Sequence, residues 1–349
     1  MSVESLTSVA GYRDAHTGRD PRELLENMAD AIRTASSVVI ASHVQPDGDA
    51  LGSAVGLGLG LRKLGKSVRV ALSDEPPEKF RPFLLAGAVE VVPSAGAALA
   101  WRPVDLCCLL DTSEPQRAGL LHDLFFAEGQ ARLCLDHHPG GPPGRFDVQL
   151  VLPEAPATGS LVLLLLDVLG VRIDADIAQA LWIALATDTG WFRFQNTTPW
   201  ALRDAARLRE AGIDTSRLYR AIYEDIPLGR ARLQGHVLAN LRAELDGAFV
   251  WGETSKAQVE AEGLQVSDLD GVIDSVKAVR GVIIAALVVR LADDQFKVSL
   301  RAPGDGAVDG VARRFGGGGH VKAAGFRFSG TREALLEALR SSVAEALRT

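Results

Sequence analysis

Ser37-Val38-Val39-Ile40-Ala41, and the loop Ser42-His43-Val44-Gln45-Pro46-Asp47-Gly48-Asp49 that follows it, decide how this chain is read. The first five residues are a short β-branched run, the pattern of a strand buried on both faces. The loop after them is polar and carries His43, Asp47 and Asp49. Residues 50–64 then form an apolar stretch containing Gly52, Gly56, Gly58 and Gly60. Glycine is a poor helix former, so a helix here implies close packing against a sheet.

Working outward, residues 21–34 place Leu24, Leu25, Met28, Ala31 and Ile32 on one helical stripe behind Pro21. Downstream, residues 67–72, 104–110 and 131–135 read as strands. Helical stretches lie between and after them, around 117–128, 157–169 and 175–187. Strands alternating with helices imply βαβ units and a mostly parallel sheet. Residues 198–238 read as helix without a strand, with Pro227 stopping the second of two helices. Strands return at 249–253, 281–291 and 295–301, followed by a glycine-rich loop and an amphipathic helix over 331–347.

The expected architecture is therefore α/β: a flexible tail (1–20), a parallel-sheet domain (21–197), a helical connector (198–238) and a smaller α/β domain (239–349). A length of 349 residues suits two domains, and 47% hydrophobic with 23% charged residues is an ordinary globular balance. The net charge of −7 argues against coating long nucleic acid through a basic surface. Cys107, Cys108 and Cys134 sit in apolar runs without a Cys-x-x-Cys pair, which reads as buried thiols in a reducing compartment. No apolar run is long enough to cross a bilayer, and residues 1–20 lack the apolar core of a signal peptide. Cytoplasm is the expected location.

Three chemistry-bearing loops follow three of the expected strands: the His43–Asp49 loop, Asp111, and Asp136-His137-His138. Ligands bind at the carboxyl ends of strands in an open parallel sheet, so these loops should converge. Asp188, at the end of a long apolar helix, is a fourth candidate. Singly, each has a plain structural explanation: Asp49 as a helix cap, Asp188 as a turn residue, His137 and His138 as surface groups. Together, crowded carboxylates would repel unless a cation held them. Oxygen and imidazole ligands without a thiolate suit Mn²⁺ or Mg²⁺ better than structural zinc, Mn²⁺ first. Two divalent ions would neutralise Asp47, Asp49, Asp111 and Asp188, and such a pair activates water for phosphoryl chemistry.

Asp136-His137-His138, preceded by the His43–Asp49 loop and Asp111, resembles the DHH phosphoesterase superfamily. Phe315-Gly316-Gly317-Gly318-Gly319-His320, then Lys322-Ala323-Ala324-Gly325, resembles the DHHA1 domain. Four separated motifs in order, spanning roughly residues 22 to 345, make the resemblance specific. A DHH domain joined to DHHA1 at this length is similar to the nanoRNase/pAp-phosphatase type. That resemblance implies hydrolysis of short oligoribonucleotides to mononucleotides and of 3′-phosphoadenosine 5′-phosphate (pAp), with short RNA or DNA and small nucleotides (pAp, pApA) as partners and a homodimer as a common state. Carried over by motif, His43, Asp47 and Asp111 hold one metal, and Asp49, Asp111, His137 and Asp188 the other. Asp136 orients ligands, and His138 faces the scissile phosphate.

The glycine run reads less well as a linker than as a close backbone approach to an anion or base. Gly316, Gly317, Gly318 and Gly319 are the candidates, with His320, Lys322 and Arg301 as nucleotide contacts. Competing readings are a cyclic-di-AMP or pApA phosphodiesterase and, from another class, a non-catalytic nucleotide- or RNA-binding module. A degenerate binder would have lost a ligand, and none of the set is missing.

Overall fold

The computed structural model describes residues 5–83, 88–269 and 271–348. The chain divides into two compact units, one through Glu224 and the other from Asp225 onward.

In the first unit, β1 (Ser37–Ala41), β2 (Ser67–Leu72), β3 (Glu90–Val91), β4 (Leu106–Leu110), β5 (Arg132–Asp136) and β6 (Val148–Val151) form one parallel sheet in the order β3-β2-β1-β4-β5-β6. The helices are α1 (Pro21–Thr34), α2 (Gly48–Lys63), α3 (Ala95–Leu99), α4 (His122–Phe125), α5 (Thr158–Val168), α6 (Ala175–Asp188), α7 (Pro199–Glu210) and α8 (Thr215–Tyr219). Side chains alternate across the sheet. Val38 and Ile40 join the core beneath α1, α2, α5 and α6, while Val39 and Ala41 join a second core with Leu121, Leu124 and Phe125. Helices on both faces explain why the strands read as unbroken apolar runs. All three cysteines are buried free thiols, and burial pushes Cys107 up to about 12.

Three expectations need correction. The glycines of α2 pack mainly on helices rather than on the sheet. A Cβ at Gly52 would lie 2.3 Å from the Ala180 carbonyl oxygen, one at Gly56 2.6 Å from Leu181, and one at Gly60 2.3 Å from Leu166; only Gly58 faces the sheet, at Val70. Residues 117–128 are not one helix: a 3₁₀ stretch, Pro115–Leu121, breaks at Gly119 (φ 58°) before α4. Residues 5–20 are not loose. Val9 is fully buried, and the buried Asp14 carboxylate accepts from the Thr17 and Val151 amides at 2.7 Å.

Of the stretch 198–238, α7 and α8 bury Trp200, Leu208 and Leu218 in the first unit's core. Helix α9 (Leu228–Ala239) instead places Leu233 and Val237 in a core of the second unit. There β7 (Arg242–Glu244), β8 (Phe249–Ser255), β9 (Ile284–Ala292), β10 (Gln295–Arg301), β11 (Gly318–His320) and β12 (Ala323–Ser329) make a mixed sheet in the order β11-β12-β10-β9-β8-β7. Only the β8–β9 pair is parallel. Helices α10 (Lys256–Ala261), α11 (Val272–Lys277), α12 (Asp309–Arg314) and α13 (Arg332–Ala346) cover it. The glycine run is half loop and half strand, since Gly318 and Gly319 pair with Gly325 and Ala324 of β12. Among the described residues, no helix is long and apolar enough to cross a membrane.

Candidate metal centre

β1 and β4 lie side by side, and the chain leaves them toward opposite edges of the sheet, so a crevice opens at their carboxyl ends. His43 sits two residues beyond β1. Asp111 follows β4 directly with φ 62°, a strained value for a non-glycine residue. Asp136 ends β5, followed by His137 and His138. Asp47 caps α2, its Oδ1 accepting from the Asp49 and Ala50 amides at 3.0 and 3.1 Å. The small residues of α2 bring it hard against α6 with the two helices running in opposite directions. A Cβ at Gly48 would meet Thr187 at 2.2 Å, which is why Asp49 at the head of α2 faces Asp188 at the foot of α6.

The structure brings the first-unit candidates together. Ligand atoms of His43, Asp47 and Asp111 lie within 4.8 Å of one another, as do those of Asp49, His137 and Asp188, and those of Asp111, His137 and His138. His43 Nδ1 lies 2.8 Å from the Val44 carbonyl oxygen and His137 Nδ1 3.2 Å from that of Ala155, so both Nδ1 atoms carry their protons. In the neutral imidazole each Nε2 is then a lone pair, and each points at carboxylates. His43 Nε2 is 3.4 Å from Asp111 Oδ2; His137 Nε2 is 3.6, 3.8 and 3.7 Å from Asp49, Asp111 and Asp188. Acceptors facing acceptors across these distances make no hydrogen bond. Asp111 Oδ2 and His137 Nε2 are both buried without a hydrogen-bond partner. A cation is the group that satisfies both, and a carbonyl behind each imidazole is the usual support of a metal-bound histidine. These residues fit a divalent metal.

The charges agree with that geometry. Burial, then the charges of Asp49, Asp47 and Asp136, holds the Asp111 carboxyl well above its ordinary range. Asp188 is pushed up to about 6, by burial first, with the charges of Asp49 and Asp47 adding to it. Burial keeps His43 below its usual value, favouring the neutral imidazole that ligates. Asp136 and His138 behave as a pair. Burial works against both charges, yet Asp136 Oδ1 accepts from His138 N at 2.9 Å and lies 3.0 Å from its Nδ1, so the carboxyl is lowered and the imidazole raised.

Several supporting groups were not singled out from sequence. The Thr158 and Gly159 amides, at the start of α5, donate to Asp49 at 2.6 and 2.9 Å. Thr158 Oγ1 donates to Asp111 Oδ1 at 2.9 Å, Ser53 Oγ to Asp49 at 2.7 Å, and Asn196 Nδ2 to Asp188 at 2.9 Å. Ser53, four residues after Asp49 on one helix face, was readable; Thr158 and Asn196 arrive from other segments. In the second unit, Arg301, Ala323 and His320 share one row across β10, β12 and β11. The His320 side chain lies outside the described residues. Lys322 Nζ donates to the carbonyls of Gly304 and Gly306, so its ammonium is held by the loop between β10 and α12.

Residues 37–185 match the model of the DHH family N-terminal domain, and 254–349 match the DHHA1 domain. The bifunctional oligoribonuclease and PAP phosphatase NrnA of Thermus thermophilus is 33% identical over 321 residues, 88% of this chain and 91% of that protein. The chain belongs to the DHH–DHHA1 family. Among solved structures, an exopolyphosphatase-related protein from Bacteroides fragilis superposes on this DHH protein with a TM-score of 0.86 at 24% identity, covering 93% of this chain and 96% of that one. RecJ from Thermus thermophilus, in complex with Mn²⁺, shares the fold at a TM-score of 0.53 and 18% identity, covering 94% of this chain and 55% of its own.

Proposed function

We propose that this DHH protein is a metal-dependent phosphoesterase that hydrolyses short oligoribonucleotides to mononucleotides and removes the 3′-phosphate of pAp. The observation that carries the reading is the pair of orphaned buried atoms, Asp111 Oδ2 and His137 Nε2, set among carboxylates in a strand-end crevice. The activity named for the Thermus relative supports the substrate class.

His43, Asp47 and Asp111 would hold one ion; Asp49, His137 and Asp188, with Asp111 shared, would hold the second. Mn²⁺, the ion bound to the RecJ relative, is the first choice. Divalent ions there supply Lewis acidity and an activated water. Asp136 fixes the His138 ring and keeps a proton on Nδ1, so His138 presents a cationic imidazole to a phosphate. Thr158 and Ser53 hold Asp111 and Asp49 at fixed rotamers, which keeps the ligand set from collapsing or spreading. The β11–β12 hairpin and Arg301 supply backbone amides and a guanidinium for the nucleotide end.

The test is hydrolysis of pAp and of a diribonucleotide by EDTA-stripped protein before and after adding Mn²⁺. Turnover of both that appears with Mn²⁺ and vanishes with EDTA is expected. No turnover of either with Mn²⁺ or Mg²⁺ sinks the reading.

A further inference from the structure

The carboxyl end of the second unit's parallel strand pair, β8 and β9, holds a cavity of about 250 Å³. Arg242 of β7, Arg290 of β9 and Arg332 at the start of α13 line it, with Trp251, Glu253 and Ser255 of β8. Glu253 grips Arg332, accepting from Nε at 2.9 Å and Nη2 at 2.7 Å, and the guanidinium lies 5.7 Å from the Trp251 ring centroid. Trp251 is itself fixed by its Nε1 donating to Glu244 at 2.9 Å. Arg242 and Arg290 are exposed and make no ion pair among the described residues. Three arginines against one glutamate leave two cations without a counter-charge, in a chain whose net charge is −7.

A concave wall concentrates the field of those cations, and a guanidinium fork matches the oxygens of a phosphate. The volume is below the roughly 300–1,000 Å³ of pockets that enclose drug-sized ligands, so the cavity has room for a phosphate with one small body. The cavity is separate from the glycine hairpin. Arg301 pairs with Ala285 on β9, and Arg290 lies five residues farther along that strand, about 17 Å at ~3.3 Å per residue.

We propose that this cavity is a second anion site, taking the phosphate of a small phosphomonoester of about one nucleotide's size. The site stands whatever the first unit hydrolyses, because its residues belong wholly to the second unit.

The experiment is calorimetric titration of the EDTA-stripped full chain with AMP and, separately, with inorganic phosphate. Without cations the four-carboxylate centre repels anions, so uptake reports on the second unit, and the loss in a variant of Arg242 and Arg290 separates this cavity from Arg301. Saturable binding of AMP is expected, weakened at least about tenfold in the double variant Arg242→Ala/Arg290→Ala. Tighter binding of AMP than of phosphate identifies a nucleotide ligand; equal binding identifies the phosphate alone, and either supports the site. Hydrolysis of pAp with Mn²⁺ at the wild-type rate in the double variant certifies that it folds. Equal AMP affinity in wild type and double variant, or no saturable uptake by the wild type at millimolar AMP, overturns the proposal.

Discussion

Two parallel strand pairs in this chain carry polar clusters at their carboxyl ends, and the clusters are opposite in sign and in burial. Beyond β1 and β4 lie Asp49 and Asp111, 1% and 0% exposed, with a lone-pair nitrogen of His137 turned into them. Toward the carboxyl end of β8 and β9 stand Arg290 and, from the neighbouring β7 opposite Trp251, Arg242, both exposed. Position in the fold says where a ligand can bind, and burial says whether the protein needs it. A buried carboxylate oxygen without a partner costs stability until a cation arrives, whereas a solvated guanidinium costs nothing while empty. The first cluster should therefore be all-or-none and coupled to folding, and the second optional.

The sharpest way to break that contrast is Asp111→Asn. Hydrolysis of pAp at saturating Mn²⁺ should fall on the order of 10³-fold, since the ligand proposed to be shared would be lost together with its charge. The same variant should melt at a higher temperature than wild type in EDTA, because the buried, disfavoured charge is gone. Activity within tenfold of wild type would show that Asp111 does not hold the metals.

A second measurement separates the two kinds of buried acid. Asp188, in the cluster, is pushed up to about 6, and Asp204, outside it, to about 7, burial being the first cause in each. Both folded-state values exceed the unfolded value near 3.8, so the stability these groups contribute is present below about pH 4 and lost as pH rises through 6 to 7. Urea denaturation in EDTA should show that decline. With Mn²⁺ the Asp188 share reverses, because a ligating carboxylate must be deprotonated. The Asp204 share remains, and Asp204→Asn removes it. A pH profile unaltered by Mn²⁺ would place Asp188 outside the centre.

The acidic cluster was legible because its residues follow short apolar runs, as Asp111 follows Leu106–Leu110 and His43 lies two residues past Ser37–Ala41. The second unit's glycine run was legible as composition, but not as half strand. What was not legible has physical causes. β3 is two residues long, and β6 carries a polar Gln149 at its middle, so neither makes a pattern. The stretch 117–128 read as helical, yet Gly119 takes φ 58° in a place where an added Cβ would lie 2.5 Å from Val44, so the helix breaks at a position only glycine can fill. Asp14 looked like a tail charge until the edge of β6 gave it an amide to accept from. Arg242, Arg290 and Arg332 come from three separate elements, and only the tertiary fold makes them neighbours.

Gly52→Ala tests how the acidic cluster is assembled. The added methyl would sit 2.3 Å from the Ala180 carbonyl oxygen, so α2 must move away from α6. Overpacking of this kind costs about 1–3 kcal/mol in unfolding free energy. Because the displacement separates Asp49 from Asp188, Mn²⁺ affinity should fall along with stability. A loss of stability with unchanged Mn²⁺ affinity would mean that the helix pair does not position the ligands.

The smallest expected effect lies in the other cluster. Arg290→Ala should change the unfolding free energy by no more than about 0.5 kcal/mol, the usual range for an exposed side chain away from caps and cores. Arg332 is the internal control, since its removal strips Glu253 of two charge-assisted hydrogen bonds and uncovers Trp251. Urea denaturation of both variants in phosphate-free buffer distinguishes the roles. If Arg290→Ala destabilises as much as Arg332→Ala, the guanidinium at 290 is bracing the sheet edge, and the cluster is no more optional than the carboxylates of the first unit. If it does not, the arginine at that strand end has no bracing role, as a cation left open for a phosphate requires.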